Sequence, residues 1–248
     1  MTLITGLRCS DGVVLGSDSQ LTVDGGLKAT VPKLFVSPHQ IVWGIAGPVA
    51  AAQAIETRFK QLILDPDPNR DDGRKGIHEV MLAAAKDMKG SDGHLAGGPF
   101  RGLFAWYSKK ESQHHLLLAR SDGVVELQTQ RYSAVGSPSS KELAQFAFFG
   151  FSRSGFLEYE TLPLEAAKML VHMVTDDAVQ ASAQGVDGPI QLAVVTTAGA
   201  RVLEAGDLNP VQDTAAAFKM HQADFLKRTD GQPEETAASG LVPGVDGS

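Results

Sequence analysis

The amino-acid sequence predicts an α+β protein built in layers, and three observations predict it. Strand-like apolar runs fall into two groups, within residues 3–45 and within residues 103–127. Segments of helical period lie between and after those groups. The string Arg8-Cys9-Ser10-Asp11-Gly12-Val13-Val14 is echoed by Arg120-Ser121-Asp122-Gly123-Val124-Val125, so one hairpin chemistry is used twice. Two hairpin-built groups with intervening helices suit stacked sheets and helices around a shared core.

Residues 3–7 alternate around Thr5, and residues 12–15 form an apolar run closed by Gly16, Ser17 and Asp18. Ser10-Asp11-Gly12 reads as a tight turn whose Asp and Gly tolerate positive φ, so these strands are expected to be antiparallel neighbours. Residues 34–36 and 41–45 read as a second pair around Ser37-Pro38-His39-Gln40. After Gly47-Pro48 the period changes: Ile55, Phe59 and Leu62 share a helical stripe that Asp65-Pro66 stops. A second helix fits residues 74–88, where Ile77, Val80, Met81, Ala84 and Met88 share a face.

The glycine-rich stretch 90–99 reads as a loop, after which strands at 103–107, 114–119 and 124–127 open a second sheet or second half. Helices are expected at 139–149 and at 163–183, the latter with Pro163 near its start. Residues 190–196 form a final core strand. The expected organisation is a sandwich over residues 1–208, a further helix within 209–227, strongest from 215, and a disordered tail over 228–248 rich in Gly, Pro, Glu, Asp, Ser and Thr.

Composition narrows the function classes. At 248 residues and 43% hydrophobic content the chain can bury a substantial core without staples. Cys9 is the single cysteine, so no intramolecular disulfide forms, which suits a reducing cytoplasm. The opening residues lack a basic start followed by a sustained apolar run, and no later segment reaches the roughly 18 apolar residues of a membrane span. A cytoplasmic location without membrane insertion is the expectation. A net charge of -7 with no block of Lys and Arg argues against a nucleic-acid partner.

Metal and cofactor chemistry find no sharp motif. His114 and His115 are strand neighbours pointing to opposite faces, and His78 and His172 have no ligand spacing around them. Cys9 has no partner that would activate it and reads as a structural thiol. Trp43 and Trp106 suit packing in strands.

The most informative chemistry is at position 2. A small residue after the initiator permits removal of Met1, and Thr2 would then carry an α-amine and a hydroxyl on one residue. The amine titrates at about 7.7–8.0, while the hydroxyl is a weak nucleophile without a base. Asp18 and Lys33, each beside a strand end, are the candidate charges: a cation favours the neutral amine and the alkoxide, and a carboxylate can hold that cation. A mobile terminus, a turn carboxylate and a solvated lysine are the ordinary readings of the same three residues.

The run TLITGLRCSDGVVLGSDSQLTV, then KLF, then IVWGIAGPVAAAQAI resembles the proteasome β-subunit family and its bacterial HslV-like relatives. The match is strongest over residues 2–63. That resemblance implies a four-layer αββα sandwich of the N-terminal-nucleophile hydrolase type. It also implies homo-oligomerisation into a ring or related chamber and cleavage of peptides or unfolded proteins by a processed Thr2. In that reading the α-amine is the base, Lys33 adjusts the local potential, Asp18 fixes Lys33, and Gly47 offers its N–H to the oxyanion. The family's Gly-Ser-Gly segment corresponds to Gly136-Ser137-Pro138, which keeps Ser137 for polar support near the amine. Its Asp-x-x-Ser segment is not retained: around Gly185-Val186-Asp187-Gly188-Pro189 there is no serine, and Asp187 suits a turn.

A threonine-type peptidase is therefore the leading functional expectation, with no cofactor and with a separate ATP-dependent unfoldase conceivable, since no Walker-type loop is present. The departure in the second support segment keeps two alternatives beside it: a catalytically weak or inactive assembly subunit, or a non-peptide amide hydrolase.

Overall fold

The computed structural model describes residues 2–22, 28–62, 73–90, 93–153, 158–181 and 186–230. The opening hairpin pairs β1 (Leu3–Arg8) with β2 (Val13–Ser17), Leu7 opposite Val14, as the turn chemistry predicts. β3 (Gln20–Thr22) and β4 (Lys28–Thr30) make a small two-stranded sheet, and β5 (Leu34–Val36) and β6 (Val42–Ala46) form the second expected hairpin. Helices α1 (Val49–Gln61) and α2 (Gly73–Asp87) follow. Next come β7 (Arg101–Ser108), β8 (Gln113–Arg120), β9 (Val125–Leu127) and β10 (Tyr132–Gly136), then α3 (Pro138–Arg153), α4 (Leu164–Gln180), β11 (Gln191–Thr196), β12 (Gly199–Val202) and α5 (Ala205–Asp230). The Asp65-Pro66 stop and most of the expected disordered tail lie outside the described residues.

Sheet membership does not follow sequence halves. One sheet runs β10-β1-β2-β11-β12 and the other β5-β6-β7-β8-β9. The expected second sheet beginning at residue 103 is therefore corrected: its strands join the β5–β6 hairpin from the first group. The cause lies in the opening hairpin. Both faces of β1 and β2 are buried, so their outer edges must be paired too, and β10 and β11 take them.

Strand alternation then builds the layers. Leu3, Leu7, Val14, Leu192 and Val194 face α3 and α4, meeting Ala144, Phe148, Leu170, Val171 and Val174. The opposite faces of the same strands carry Ile4, Val13, Leu15, Ala193 and Val195, which pack on Leu34, Val42, Leu103, Ala105 and Leu116 of the second sheet. The far face of that second sheet holds Trp43, Phe104, Trp106 and Leu117 against Ala51, Ile55 and Phe59 of α1 and Ile77, Val80 and Met81 of α2. The order is helix, sheet, sheet, helix: the αββα sandwich. Trp43 stacks between Phe35 at 4.6 Å and Phe104 at 6.5 Å, and burying each such ring is worth roughly 1.5–3 kcal/mol.

Two local expectations change. Gly12 is not in the positive-φ region, unlike its echo Gly123 at φ 83°; a Cβ at Gly12 would sit 2.7 Å from the Val195 carbonyl, so close approach of β11 requires glycine there. Helix α5 starts at Ala205 rather than near 215, with Pro210 inside it. Its start is fixed by Asp207, whose carboxylate accepts the Glu204 N–H at 3.2 Å in the manner of a capping box. The compact unit Met1–Ala215 takes in the first turns of this helix, and Ala216–Ser248 forms a second unit.

Candidate active site

Thr2 is placed by the strand that follows it. Leu3 pairs with Gly136 across the β1–β10 ladder, and the Ser137 N–H donates to the Thr2 carbonyl at 3.1 Å. From the β2 side, Asp18 Oδ1 accepts the Leu3 N–H at 2.9 Å. A Cβ at Gly136 would lie 2.4 Å from the Thr2 oxygen, so β10 presses on this carbonyl as only glycine permits.

Asp18 is fully buried, and its second oxygen accepts from Lys33 Nζ at 2.5 Å. Lys33 is 7% exposed and arrives from the segment leading into β5. The ordinary readings of Asp18 as a turn residue and Lys33 as a solvated one are thus set aside. Burial holds the Lys33 ammonium below the ordinary lysine range against the opposing pull of Asp18, and burial raises the Asp18 carboxyl against Lys33 and the Leu3 N–H. An isolated ion pair would shift both groups the other way; burial governs here because both charges have left water. The pair keeps the short geometry of a charge-assisted hydrogen bond while its ionised and neutral forms draw closer in free energy.

Thr2, Lys33, Gly47 and Ser137 line one cleft of about 700 Å³. Its apolar wall comes from Leu21, Val31, Phe35, Ile45 and Ala52, and Glu56 at its edge is paired with Lys60 at 2.7 Å. Gly47 follows β6 at the turn into α1, and among the described residues no backbone carbonyl takes its N–H. Four of the five residues singled out in the sequence therefore meet at one opening, and the fifth, Asp18, stands behind Lys33.

Ser137 is present but differently employed. Its hydroxyl bonds the Ser140 hydroxyl, and its carbonyl accepts the Lys141 N–H at 3.0 Å, so it serves the first turn of α3. Pro138, which replaces the glycine of the family pattern, occupies the first helical position, where its missing N–H costs nothing. Asp187 is a turn residue: its carboxylate accepts the Gly188 N–H at 2.7 Å and pairs with Lys28 at 3.5 Å on the surface.

Residues outside the cleft take structural roles. Cys9 is buried, donates to the Gly12 carbonyl at 3.2 Å, and burial pushes its thiol up to about 11. His115 stacks on Trp106 and His114 lies tilted against Tyr107, on opposite faces of β8 as adjacent strand residues must be. Among the described residues no group of three or more His, Cys, Asp or Glu could hold a metal ion, and no helix is long and apolar enough to cross a membrane.

Four layers with a threonine ahead of the first strand, opening into a cleft, are the architecture of the N-terminal-nucleophile hydrolase fold. The solved structure of the Gly-1 mutant of Anbu from Hyphomicrobium sp. strain MC1 matches over 95% of this chain and 99% of that chain, with 18% identity and a TM-score of 0.68. At that identity the likeness establishes the fold. The proteasome-subunit family model matches residues 2–65, the segment holding Thr2, Asp18, Lys33 and Gly47. No curated protein matches the chain.

Proposed function

We propose that the protein is an N-terminal-nucleophile amide hydrolase of weak or specialised activity, acting through Thr2 on peptide bonds within a homo-oligomeric assembly. The observation that carries this reading is the Lys33–Asp18 pair, withdrawn from water beside the cleft that Thr2 lines. A buried pair of this kind costs desolvation free energy, which a purely structural core would avoid with apolar side chains.

Removal of Met1 converts the Thr2 nitrogen from an amide to an amine. Thr2 Oγ1 then attacks the substrate carbonyl carbon while its proton passes to the α-amine, directly or through water. The Gly47 N–H meets the developing oxyanion, and the Lys33 charge favours the alkoxide and the neutral amine. Collapse breaks the C–N bond, the ammonium returns its proton to the leaving amine, and water hydrolyses the ester by the same steps. The apolar wall of Leu21, Val31, Phe35 and Ile45 suits an apolar substrate side chain. Folded substrates would need a separate ATP-dependent unfoldase.

The second reading, an inactive assembly subunit, is favoured by one feature: the Ser137 hydroxyl is spent on Ser140. A non-peptide amide would serve the same nucleophile, because pocket shape sets the substrate. Intact-mass analysis with a β-lactone separates the readings. A single adduct on Met1-free wild type, absent in Thr2→Ala, supports the hydrolase. Met1-free protein that stays unmodified, or a retained Met1, supports the assembly subunit. Cleavage of an unfolded polypeptide against a panel of small amides then identifies the substrate class.

A further inference from the structure

The geometry points to Gln191 as the positioning residue that sets where Lys33 stands in the cleft, a role that rests on the hydrolase reading above. Gln191 opens β11, in the sheet that carries Thr2, whereas Lys33 precedes β5, in the other sheet. The Gln191 side-chain amide crosses between them. Its Oε1 accepts the Lys33 N–H at 2.9 Å, and its Nε2 donates to the Val31 carbonyl at 2.8 Å. The two backbone partners have fixed roles, one a donor and one an acceptor, so the orientation of the amide is determined by chemistry.

The bonds flank Pro32, which has no N–H to offer a strand partner. Between β4 and β5 the chain thus has a side chain in place of a ladder, and Val31 N–H is fixed in turn by the Ser19 carbonyl at 2.8 Å. The base of the clamp is firm: Gln191 pairs with Ser17 in the β2–β11 register, one residue from Asp18. The end of β2 therefore presents Asp18 to Lys33 Nζ, while neighbouring β11 grips Lys33 by its backbone N–H, so one lysine is held at both ends. Val31, Pro32 and Lys33 all line the cleft, so the same amide also holds part of its wall.

Only a neutral group with one acceptor and one donor satisfies both contacts. In Gln191→Leu both are lost. In Gln191→Glu the carboxylate keeps the Lys33 N–H but repels the Val31 carbonyl, and protonation of that carboxyl restores a donor.

The test compares wild type, Gln191→Leu and Gln191→Glu as full-length, Met1-free chains by two readouts. The first is the rate of β-lactone adduct formation against reagent concentration and pH. The expected result for Gln191→Leu is a limiting rate lower by about ten- to a hundredfold with a smaller change in the half-saturating concentration, as misplaced reacting groups give. For Gln191→Glu the deficit relative to wild type narrows as pH falls and the new carboxyl takes its proton, a trend that Gln191→Leu lacks. The second readout needs no activity: titration of Lys33 in chains carrying carbon-13 lysine, assigned with Lys33→Arg. Release of Lys33 toward solvent in Gln191→Leu shifts that titration upward. Wild-type adduct rates and an unchanged Lys33 titration in both variants would overturn the inference. If Met1-free wild type forms no adduct, the hydrolase reading falls, and the lysine titration alone decides whether Gln191 positions Lys33. If Gln191→Leu does not fold, the pH trend and titration of Gln191→Glu decide it.

Discussion

Asp18 accepts the Leu3 amide proton at 2.9 Å with one oxygen while the other meets Lys33, so a single carboxylate fixes both the strand that carries Thr2 and the cation beside it. Asp18→Asn separates those duties. The asparagine oxygen still accepts from Leu3, but Lys33 loses its counter-charge while its side chain stays largely buried. Removing one member of a buried pair costs about 3–5 kcal/mol, more than removing both. Denaturant unfolding is expected to show a loss of that order for Asp18→Asn and a smaller one for Asp18→Asn combined with Lys33→Met. A larger loss in the double variant would show that the pair is not the relevant interaction.

The same variant has a pH signature. The Lys33 value in the folded chain already lies below 10.5, and losing Asp18 lowers it further. Between the folded value and 10.5 the unfolded chain binds the additional proton, so stability rises with pH across that window. The deficit of Asp18→Asn against wild type is therefore expected to shrink as pH rises through it. In the wild type Asp18 acts in the opposite sense: its folded value lies above 3.8, the folded chain binds the additional proton, and stability falls as pH rises from 3.8 through that value. Unfolding midpoints measured across pH for both proteins check the two slopes; a deficit that grows with pH would contradict the assignment.

Thr2, Asp18, Lys33 and Gly47 were legible because they lie on or beside the opening strands, where apolar runs and turn residues mark the strand ends in the sequence itself. Sheet assignment was not legible in the same way. β10, Tyr-Ser-Ala-Val-Gly, has too little apolar alternation to announce a strand, yet it closes the edge of β1, and pairing across more than a hundred residues leaves no local trace. β12 is four residues long and largely exposed, so its period carries no hydrophobic signal. Gln191 was invisible for a different reason. Its side chain substitutes for a missing strand partner, and a single amide at the head of an apolar run has no motif. Ser137 shows the converse: the residue was legible, but its hydroxyl is claimed by the helix that Pro138 starts.

That contact gives Ser137→Ala a defined outcome. Loss of the hydroxyl's hydrogen bond to Ser140 costs about 1 kcal/mol. The Ser137 N–H to the Thr2 carbonyl survives the change, because it belongs to the backbone. A modest loss of stability with an adduct rate close to wild type is expected, whereas Lys33→Ala suppresses the adduct strongly. Equal suppression by the two substitutions would assign the Ser137 hydroxyl a direct part in the chemistry.

Cys9 supplies a test of the β1–β2 turn. Its thiol is buried and raised to about 11, so at about pH 8 very little thiolate exists in the folded chain. A disulfide reagent is expected to react with Cys9 slowly in native protein and at once in denaturant. The native rate then reports opening of the turn rather than intrinsic thiol chemistry. Immediate reaction under native conditions would mean that the Cys9–Gly12 contact does not persist in solution.

Gly47→Ala tests the oxyanion assignment through sterics. A Cβ at residue 47 would lie 2.5 Å from the Phe100 Cβ, in backbone-anchored atoms that have no flexible end to yield. The strand-to-helix turn must therefore move, and with it the N–H that the proposed mechanism assigns to the developing charge. Overpacking of this kind costs about 1–3 kcal/mol, while loss of one aligned oxyanion donor costs about a hundred- to a thousandfold in rate. The two effects separate by measurement: unfolding reads the first, and the limiting rate of adduct formation, at a temperature where the variant remains folded, reads the second. Phe100→Ala in the Gly47→Ala background relieves the contact by removing the ring, although the Phe100 Cα at 3.2 Å stays. Partial recovery of the adduct rate is expected there, because relaxing the turn returns the N–H toward its place. A normal rate in Gly47→Ala itself would show that the donor lies elsewhere in the cleft.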